Sequence, residues 1–437
     1  MGWLLRWRRT HYTQQVTGEL EGNEVVLLGW VHDVRDLGKI KFLILRDREG
    51  VIQITAPLGK VSDNVFSLIS SLKRESVVAV KGIVRRSSIA RLGVEVIPLE
   101  IEVLNEAKSP LPLDPTGRIP ADLSKRLDAR YIDLRVPSQM AIFKLQHLVL
   151  NLTRKFFIER GFIEVVTPRI LASATEGGAA LFSVKYFEKE VFLAQSPQLY
   201  KEVLTSVFEK VFEIGTFFRA EESDTTYHLN EFVSVDMEEA FTDAEDVMKT
   251  LEDYVCYVFK GVKELGSKEL KNINVELKEL KKPFKRLSYE EALKKLEKLG
   301  LEVKWGADIP TQGYRKLGEE YPEPYFIVDW PTQLKPFYIK PYDENPSICE
   351  AFDLNYSWLE VASGGTRIHD KNLLIKRIKE QGLNPDSFKS HLEAFDYGMP
   401  PHAGWGLGLS RLLMVITGRS NIREVVLFPR DRWRLTP

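Results

Sequence analysis

The chain has 437 residues, 44% of them hydrophobic, which is enough for a large buried core spread over two or three domains of roughly 150 residues each. Its 61 basic and 62 acidic residues nearly cancel, so a polybasic nucleic-acid or membrane binder is disfavoured, although one face can still be locally basic. The two cysteines, Cys256 and Cys349, belong to no pair motif; this points away from a disulfide scaffold or a thiolate zinc site and towards a reduced, cytoplasmic setting.

The opening "MGWLLRWRRTHY" has arginines after its apolar residues and no small-residue cleavage site, and it reads as a short extension rather than a signal peptide. No apolar run approaches the roughly 18 residues of a membrane span. Five apolar strand-like runs follow: "EVVLLGWV", "IKFLILRD", "GVIQITA", "SVVAVKGIV" and "LGVEVIPLEIEV". With one helical stretch near 63–73, they predict a small closed barrel of the OB type over residues 1–106. Residues 1–110 hold 16 Lys/Arg and 13 Asp/Glu, so this part is mildly basic. "SPLPLDPTGRIP" then sets four prolines, Pro110, Pro112, Pro115 and Pro120, into a predicted hinge over 107–137.

Beyond the hinge, apolar residues at 142, 145, 149, 152 and 156 mark an amphipathic helix that Gly161 stops. Strands are predicted at "FIEVVTP", "EVFLAQS", "KVFEIGTFF", "FVSVDMEEAF", "YFIVDWP", "FDLNYSWLEVASG" and "EVVLFP". Strands that succeed one another without regular helical crossovers predict an antiparallel sheet flanked by helices, an α+β domain over 138–437. The block from about 245 to 300 reads as a charged helical insertion, with Ser288 and Glu291 forming a capping box.

Four stretches carry candidate chemistry. In "FRAEESDTTYHLNEFVSVDMEEAF", Arg219 and Glu221 follow an apolar strand, and a polar loop returns to a second strand at Phe232 that carries Asp236. A guanidinium fixed on a sheet can grip a phosphate through two bonds, though Arg219 equally fits a surface ion pair with Glu221 or Glu222. "GWGLGLSRLL" places glycines before a helix that Arg411 opens, which suits phosphate binding or simple close packing. In "FDLNYSWLEVASGGTRIHD", the oxygens of Asp353, Glu360 and Ser363 could hold Mg²⁺, and Arg367 could pair with a substrate carboxylate or with Glu360. Glu176 sits in a glycine-containing loop able to act as a lid, and Gln198 and Lys201 share a face at a helix start.

Taken together, these runs resemble a class II aminoacyl-tRNA synthetase of subclass IIb, and within it the aspartyl-tRNA synthetases of the archaeal and eukaryotic type. The likeness covers nearly the whole chain. "GFIEVVTPRI" with Pro168 is similar to motif 1, "FRAEE…HLNEF" to motif 2 and "GLGLSRLL" to motif 3, while "SATEGG", "QSPQLYK" and "SGGTRIH" match aspartate-specific segments. The resemblance implies that ATP binds among Arg219, Glu221, Tyr227, His228, Leu229, Phe232, Glu360, Gly408 and Arg411. Arg219 would take the α-phosphate, Phe232 and Arg411 would sandwich adenine, and Arg219 and Arg411 would be the catalytic pair. Aspartate would bind among Glu176, Gln198, Lys201, Arg219, Asp236, Ser363 and Arg367, with Lys201 and Arg367 on its side-chain carboxylate. Mg²⁺ would sit on Asp353, Glu360 and Ser363.

The barrel would read the anticodon of tRNA(Asp) through His32, Arg35, Asp36, Phe42, Gln53 and Arg91, with Phe42 stacking on a base. A homodimer is implied through motif 1. Two residues depart from the pattern: Tyr227 stands where many relatives carry arginine, and Ser410 where glutamate is common. Three rivals remain: an enzyme that also charges tRNA(Asn), an asparaginyl enzyme, and an asparagine-synthetase paralogue, which would lack the barrel. A non-catalytic nucleic-acid-binding module would not need Arg219, Glu360 and Arg411 together.

Overall fold

The computed structural model describes residues 6–172, 181–222 and 224–437. The chain divides into two compact units, Met1–Val136 and Pro137–Pro437.

Among the described residues of the first unit, five strands close a barrel in the order β1-β2-β3-β5-β4. They are β1 (Glu24–Asp36), β2 (Ile40–Arg46), β3 (Val51–Pro57), β4 (Val77–Arg86) and β5 (Val94–Asn105), with helix α1 (Asp63–Ser71) between β3 and β4. Alternation decides which side chains go in. Leu43 and Leu45 of β2 join Val25, Leu27, Ile52, Ile54, Val80 and Val96 in the barrel core, while Phe42 and Ile44 face the other way. Ser62 caps α1 by accepting the Val65 N–H, and Val65 and Ile69 turn inward.

The proline-containing stretch packs as part of this unit. It holds two short helices, α2 (Leu123–Asp128) and α3 (Arg130–Asp133). Arg135 pairs with the buried Glu75 at 2.6 Å, and Arg74 pairs with Asp114 at 2.9 Å. Glu75 also takes a two-pronged bond from Arg46 at 2.9 and 2.7 Å.

The second unit opens with α4 (Pro137–Ile158), the predicted amphipathic helix. Its elements continue as β6 (Ile163–Glu164), β7 (Ile170–Leu171), β8 (Ser183–Tyr186), β9 (Lys189–Leu193), α5 (Gln198–Phe208), β10 (Lys210–Phe218) and β11 (Glu231–Ala240). Then come α6 (Ala244–Leu265), α7 (Ser267–Asn272), β12 (Lys285–Ser288), α8 (Tyr289–Lys298), α9 (Thr311–Glu320) and β13 (Pro324–Pro331). The chain ends through β14 (Ile348–Tyr356), β15 (Leu359–Thr366), α10 (Lys371–Glu380), α11 (Lys389–Ala394), β16 (His402–Gly408) and α12 (Leu409–Thr417).

Among the described residues, eight strands form one sheet in the order β12-β13-β14-β15-β16-β11-β10-β6. The sheet is mixed rather than purely antiparallel: its two outermost pairs, β12 with β13 and β10 with β6, run parallel. One face carries Val235, Met237, Trp405, Leu407 and Ala362, packed under α4, α6 and α12 as the main core. The alternate residues of the same strands form the opposite face, where the site lies.

Three expectations need correction. The block 245–300 is no insertion: Val247, Leu251, Tyr254, Val255, Val258 and Val262 of α6 are central to the main core, and β12 is a sheet edge. The run "FDLNYSWLEVASG" is a hairpin of β14 and β15, turning at Ser357 with φ of +53°. The run "EVVLFP" is not a strand; just beyond it, only an isolated bridge between Arg430 and Glu231 of β11 forms. The Ser288–Glu291 capping box is present, with bonds of 2.8 and 3.1 Å.

Candidate functional site

The registers of the sheet explain how charge comes to lie on one face. Asp353 pairs with Ser363, Ser363 with Gly406, Gly406 with Asp236, and Asp236 with Glu213, so one row crosses five strands. Two residues along β11, Glu238 lies opposite Gly404. The glycines clear space for the acids. A Cβ at Gly404 would stand 2.3 Å from Glu238 Oε2, and one at Gly406 would stand 2.9 Å from Asp236 Oδ1.

A cavity of about 450 Å³ opens on this face. Its wall gathers Arg219, Glu221, Tyr227, His228, Leu229 and Phe232 from the β10–β11 hairpin, and Gly408 and Arg411 from the β16–α12 junction. Gln198, Asp236, Glu360, Ser363 and Arg367 line the same space. Four elements distant in sequence thus bring thirteen of the predicted residues to one cavity. Glu176 lies outside the described residues.

At one end, the Arg219 backbone N–H donates to the Asn230 carbonyl at 2.9 Å, and its guanidinium lies 5.3 Å from the Phe232 ring. Asn230, which the sequence reading missed, braces the loop by donating to the carbonyls of Arg219 and Glu221 at 2.7 and 3.0 Å. Arg411 donates to the Glu360 carbonyl at 2.9 Å. His228 bonds Thr225 Oγ1 at 2.8 Å; burial and the charges of Arg411 and Arg219 hold its pKa below the ordinary value, so the ring is neutral near pH 7. Tyr227 turns its hydroxyl to Thr311 at 2.7 Å.

At the other end, Lys201 does not face the cavity. It lies beneath the wall, 2% exposed, bonded to Asp236 at 3.1 Å and to the carbonyls of Met237 and Trp405, with Glu238 at 3.3 Å. Lys201, expected on the substrate carboxylate, is turned by α5 to the acids of β11. Arg367 does line the cavity, and its Nε bonds the fully buried Glu238 at 2.8 Å. Glu238 was not among the expected residues, although its spacing of two from Asp236 places it on the same face. Asp236 Oδ2 is buried and has no hydrogen-bond partner.

For a metal, the oxygen donors suit a hard divalent cation. Asp353 Oδ1 is buried and unpartnered, while Oδ2 bonds Lys335 at 2.6 Å. Glu360 has its pKa raised by burial and by the neighbouring Asp353 charge, a repulsion that a cation would relieve. Among the described residues no group of three or more His, Cys, Asp or Glu is placed to hold a metal ion, so the expected set offers two carboxylates and the Ser363 hydroxyl.

In the barrel, Phe42 sits opposite Arg35 on β1 and Thr55 on β3, facing away from the core. Gln53 shares that face and donates to Glu95 at 3.0 Å and Thr55 at 3.1 Å. His32 occupies a bulge of β1. Asp36 instead pairs with Lys41, on the opposite pleat, and accepts from Ser70 at 2.8 Å. Arg91 lies apart from these three strands, in the β4–β5 turn.

A family model for class II tRNA synthetases (D, K and N) matches residues 122–432, and a model for OB-fold nucleic acid binding domains matches 25–104. The chain belongs to the class II tRNA synthetases. Among its relatives, the Aspartate–tRNA(Asp) ligase of Pyrococcus abyssi is 53% identical, over 98% of this chain and 100% of that protein. The Aspartate–tRNA(Asp/Asn) ligase of Methanopyrus kandleri is 55% identical, over 98% of this chain and 99% of that one. Among solved structures, asparaginyl-tRNA synthetase from Pyrococcus horikoshii, complexed with asparaginyl-adenylate, superposes with a TM-score of 0.94 at 35% identity, covering 98% of this chain and 100% of that chain. Synthetases that differ in amino acid thus share this architecture, and the choice of substrate lies in side chains.

Proposed function

We propose that this synthetase activates L-aspartate with ATP and transfers it to the 3′ end of tRNA(Asp). The observation that carries the reading is one cavity with two unlike ends. Arg219, Phe232 and Arg411 offer a phosphate grip and a ring slot; Gln198, Asp236 and Arg367 offer acceptors for an ammonium and a cation for a carboxylate. The identity of 53–55% to aspartate ligases supports aspartate over asparagine.

In the first step an oxygen of the aspartate α-carboxylate bonds to the α-phosphorus of ATP, and the bond to the β-phosphate breaks, releasing pyrophosphate. No protein base is needed. Arg219 holds the α-phosphoryl oxygens and neutralises their growing charge. Phe232 and Arg411 hold the adenine, and neutral His228 donates towards the outer phosphates. Asp353, Glu360 and Ser363 would hold Mg²⁺, which supplies positive charge to the phosphates when bound. Asp236 and Gln198 take the ammonium, and Arg367 takes the side-chain carboxylate. A terminal ribose hydroxyl of tRNA then attacks the aspartyl carbonyl and expels AMP.

The barrel face around Phe42, Arg35 and Gln53 stacks and reads anticodon bases, as OB-folds do with single strands. A second copy of the chain covers the apolar residues Ile158, Ile163, Val166 and Ile170, all exposed here, with Val166 at 90%. The free cysteines suit a cytoplasmic enzyme.

The test is pyrophosphate exchange into ATP: aspartate supports it, and exchange with asparagine but not aspartate overturns the substrate. A second reading, that tRNA(Asn) is also aspartylated, is favoured by the relative that acts on both tRNAs. Charging of tRNA(Asp) and tRNA(Asn) side by side separates the two.

A further inference from the structure

Behind the amino-acid end of the cavity lies a buried acid that the reaction above does not use. Helix α5 puts Gln198 and Glu202 four residues apart on one face. Gln198 Nε2 donates to Glu202 Oε1 at 2.6 Å. Glu202 is fully buried, yet its other oxygen faces two histidines from different elements: His391 Nε2 of α11 at 3.2 Å and His402 Nε2 of β16 at 3.9 Å. His402 is itself fully buried, and its Nδ1–H donates to the Pro400 carbonyl at 2.8 Å.

Burial alone would strip charge from both partners. It would raise the Glu202 pKa, but the two histidines that face its free oxygen drive it below the ordinary carboxylate value. Burial would also lower the His402 pKa, but Glu202, Glu238 and the Pro400 carbonyl raise it. Glu202 is therefore a carboxylate that can only accept hydrogen bonds. Such a partner leaves the Gln198 amide one orientation, since the flipped amide would put two oxygens 2.6 Å apart. The nitrogen points to Glu202, and the carbonyl oxygen is left for the cavity. Asp236 Oδ2, buried and without a hydrogen-bond partner, lines the same space. Two acceptors converging on one cavity suit a group that only donates.

We propose that Glu202, held by His391 and His402, is a positioning residue that locks the Gln198 carbonyl oxygen towards the ammonium of the amino-acid substrate. The inference rests on the reading that this cavity binds an α-amino acid, and it adds the device that makes the ammonium end selective. Removing the acid's charge without changing its shape lets residue 202 donate, so Gln198 can flip and present N–H groups to a cation.

The experiment uses the full chain carrying Glu202→Gln. Aspartate-dependent exchange is measured together with inhibition by succinate, which has both carboxylates of aspartate and no ammonium. We expect KM for aspartate to rise about tenfold, the loss of one hydrogen bond to a charged group, with kcat changed less than about twofold and the succinate Ki unchanged. In a Gln198→Ala background, Glu202→Gln should add nothing further. An unchanged KM overturns the proposal. So does an equal rise in KM and in the succinate Ki, which would mark general damage to the pocket. If Glu202→Gln does not fold, His391→Gln decides by the same comparison: a loss confined to aspartate supports the proposal, and a loss shared with succinate overturns it. Absence of aspartate-dependent exchange in the unaltered chain would instead sink the reading of the cavity itself.

Discussion

Glu238 joins two buried cations, and its replacement by glutamine gives the most quantitative test of the site. The acid is fully buried, with Arg367 Nε at 2.8 Å, Arg367 Nη2 at 3.4 Å and Lys201 Nζ at 3.3 Å. Glu238→Gln keeps the volume and removes the charge. Lys201 retains Asp236 at 3.1 Å and two carbonyls, so it remains compensated. Arg367, 3% exposed, loses its carboxylate partner. Breaking one side of a buried ion pair costs about 3–5 kcal/mol, and the amide oxygen returns about 1 kcal/mol as a neutral hydrogen bond. The net loss is about 2–4 kcal/mol. At about 2 °C per kcal/mol for a large domain, the melting temperature should fall by about 4–8 °C. The assay is thermal unfolding with and without saturating aspartate. Aspartate should recover part of the loss, because its carboxylate replaces the missing charge beside Arg367. A melting temperature within about 1 °C of the unaltered protein would refute the assignment of Glu238 as the anchor of Arg367.

Arg219→Ala should abolish aspartate-dependent exchange and leave tRNA binding largely intact, as read by exchange and filter binding in parallel. Phe42→Ala should weaken tRNA binding by about 1–3 kcal/mol, the value of one base stacked on an aromatic ring, with exchange unaffected. Glu360→Gln should remove exchange yet raise the melting temperature of the ligand-free protein at pH 7. The folded-state pKa of Glu360 is raised above its ordinary value of 4.5, by burial and then by Asp353, so its ionised form costs stability above that folded pKa and costs nothing well below 4.5. The gain from Glu360→Gln should therefore vanish in melts taken on the acid side of that value. Val166→Asp should convert a dimer to monomers in sedimentation, since Val166 is 90% exposed on the apolar face assigned to a second copy.

Period-two alternation made the barrel legible, because each of its strands has one face in a single core, as Leu43 and Leu45 against Phe42 illustrate. The direction of pairing was not legible, since a short edge strand such as β6 reads the same whether it runs parallel or antiparallel. The hairpin of β14 and β15 was missed because its turn, at Ser357, holds no glycine or proline. Of the cavity, the lining that the motif 2 and motif 3 stretches supply in one run each was legible. The pairing of Lys201 with Asp236 and Glu238 was not, because it joins α5 to β11 across the sheet face. Glu238 stood in plain view two residues from Asp236, but the adjacent Glu239 blurs the pattern.

The glycines opposite Asp236 and Glu238 have a consequence for anyone trying to re-engineer which amino acid the pocket accepts. Room for each acid is made on the neighbouring strand, so a bulkier or smaller replacement on β11 leaves either a clash or a hole beside β16. Scans that alter one position at a time will therefore score nearly every change there as damaging, and variants with a new preference will emerge only from libraries that vary 236 with 406, and 238 with 404, as linked pairs.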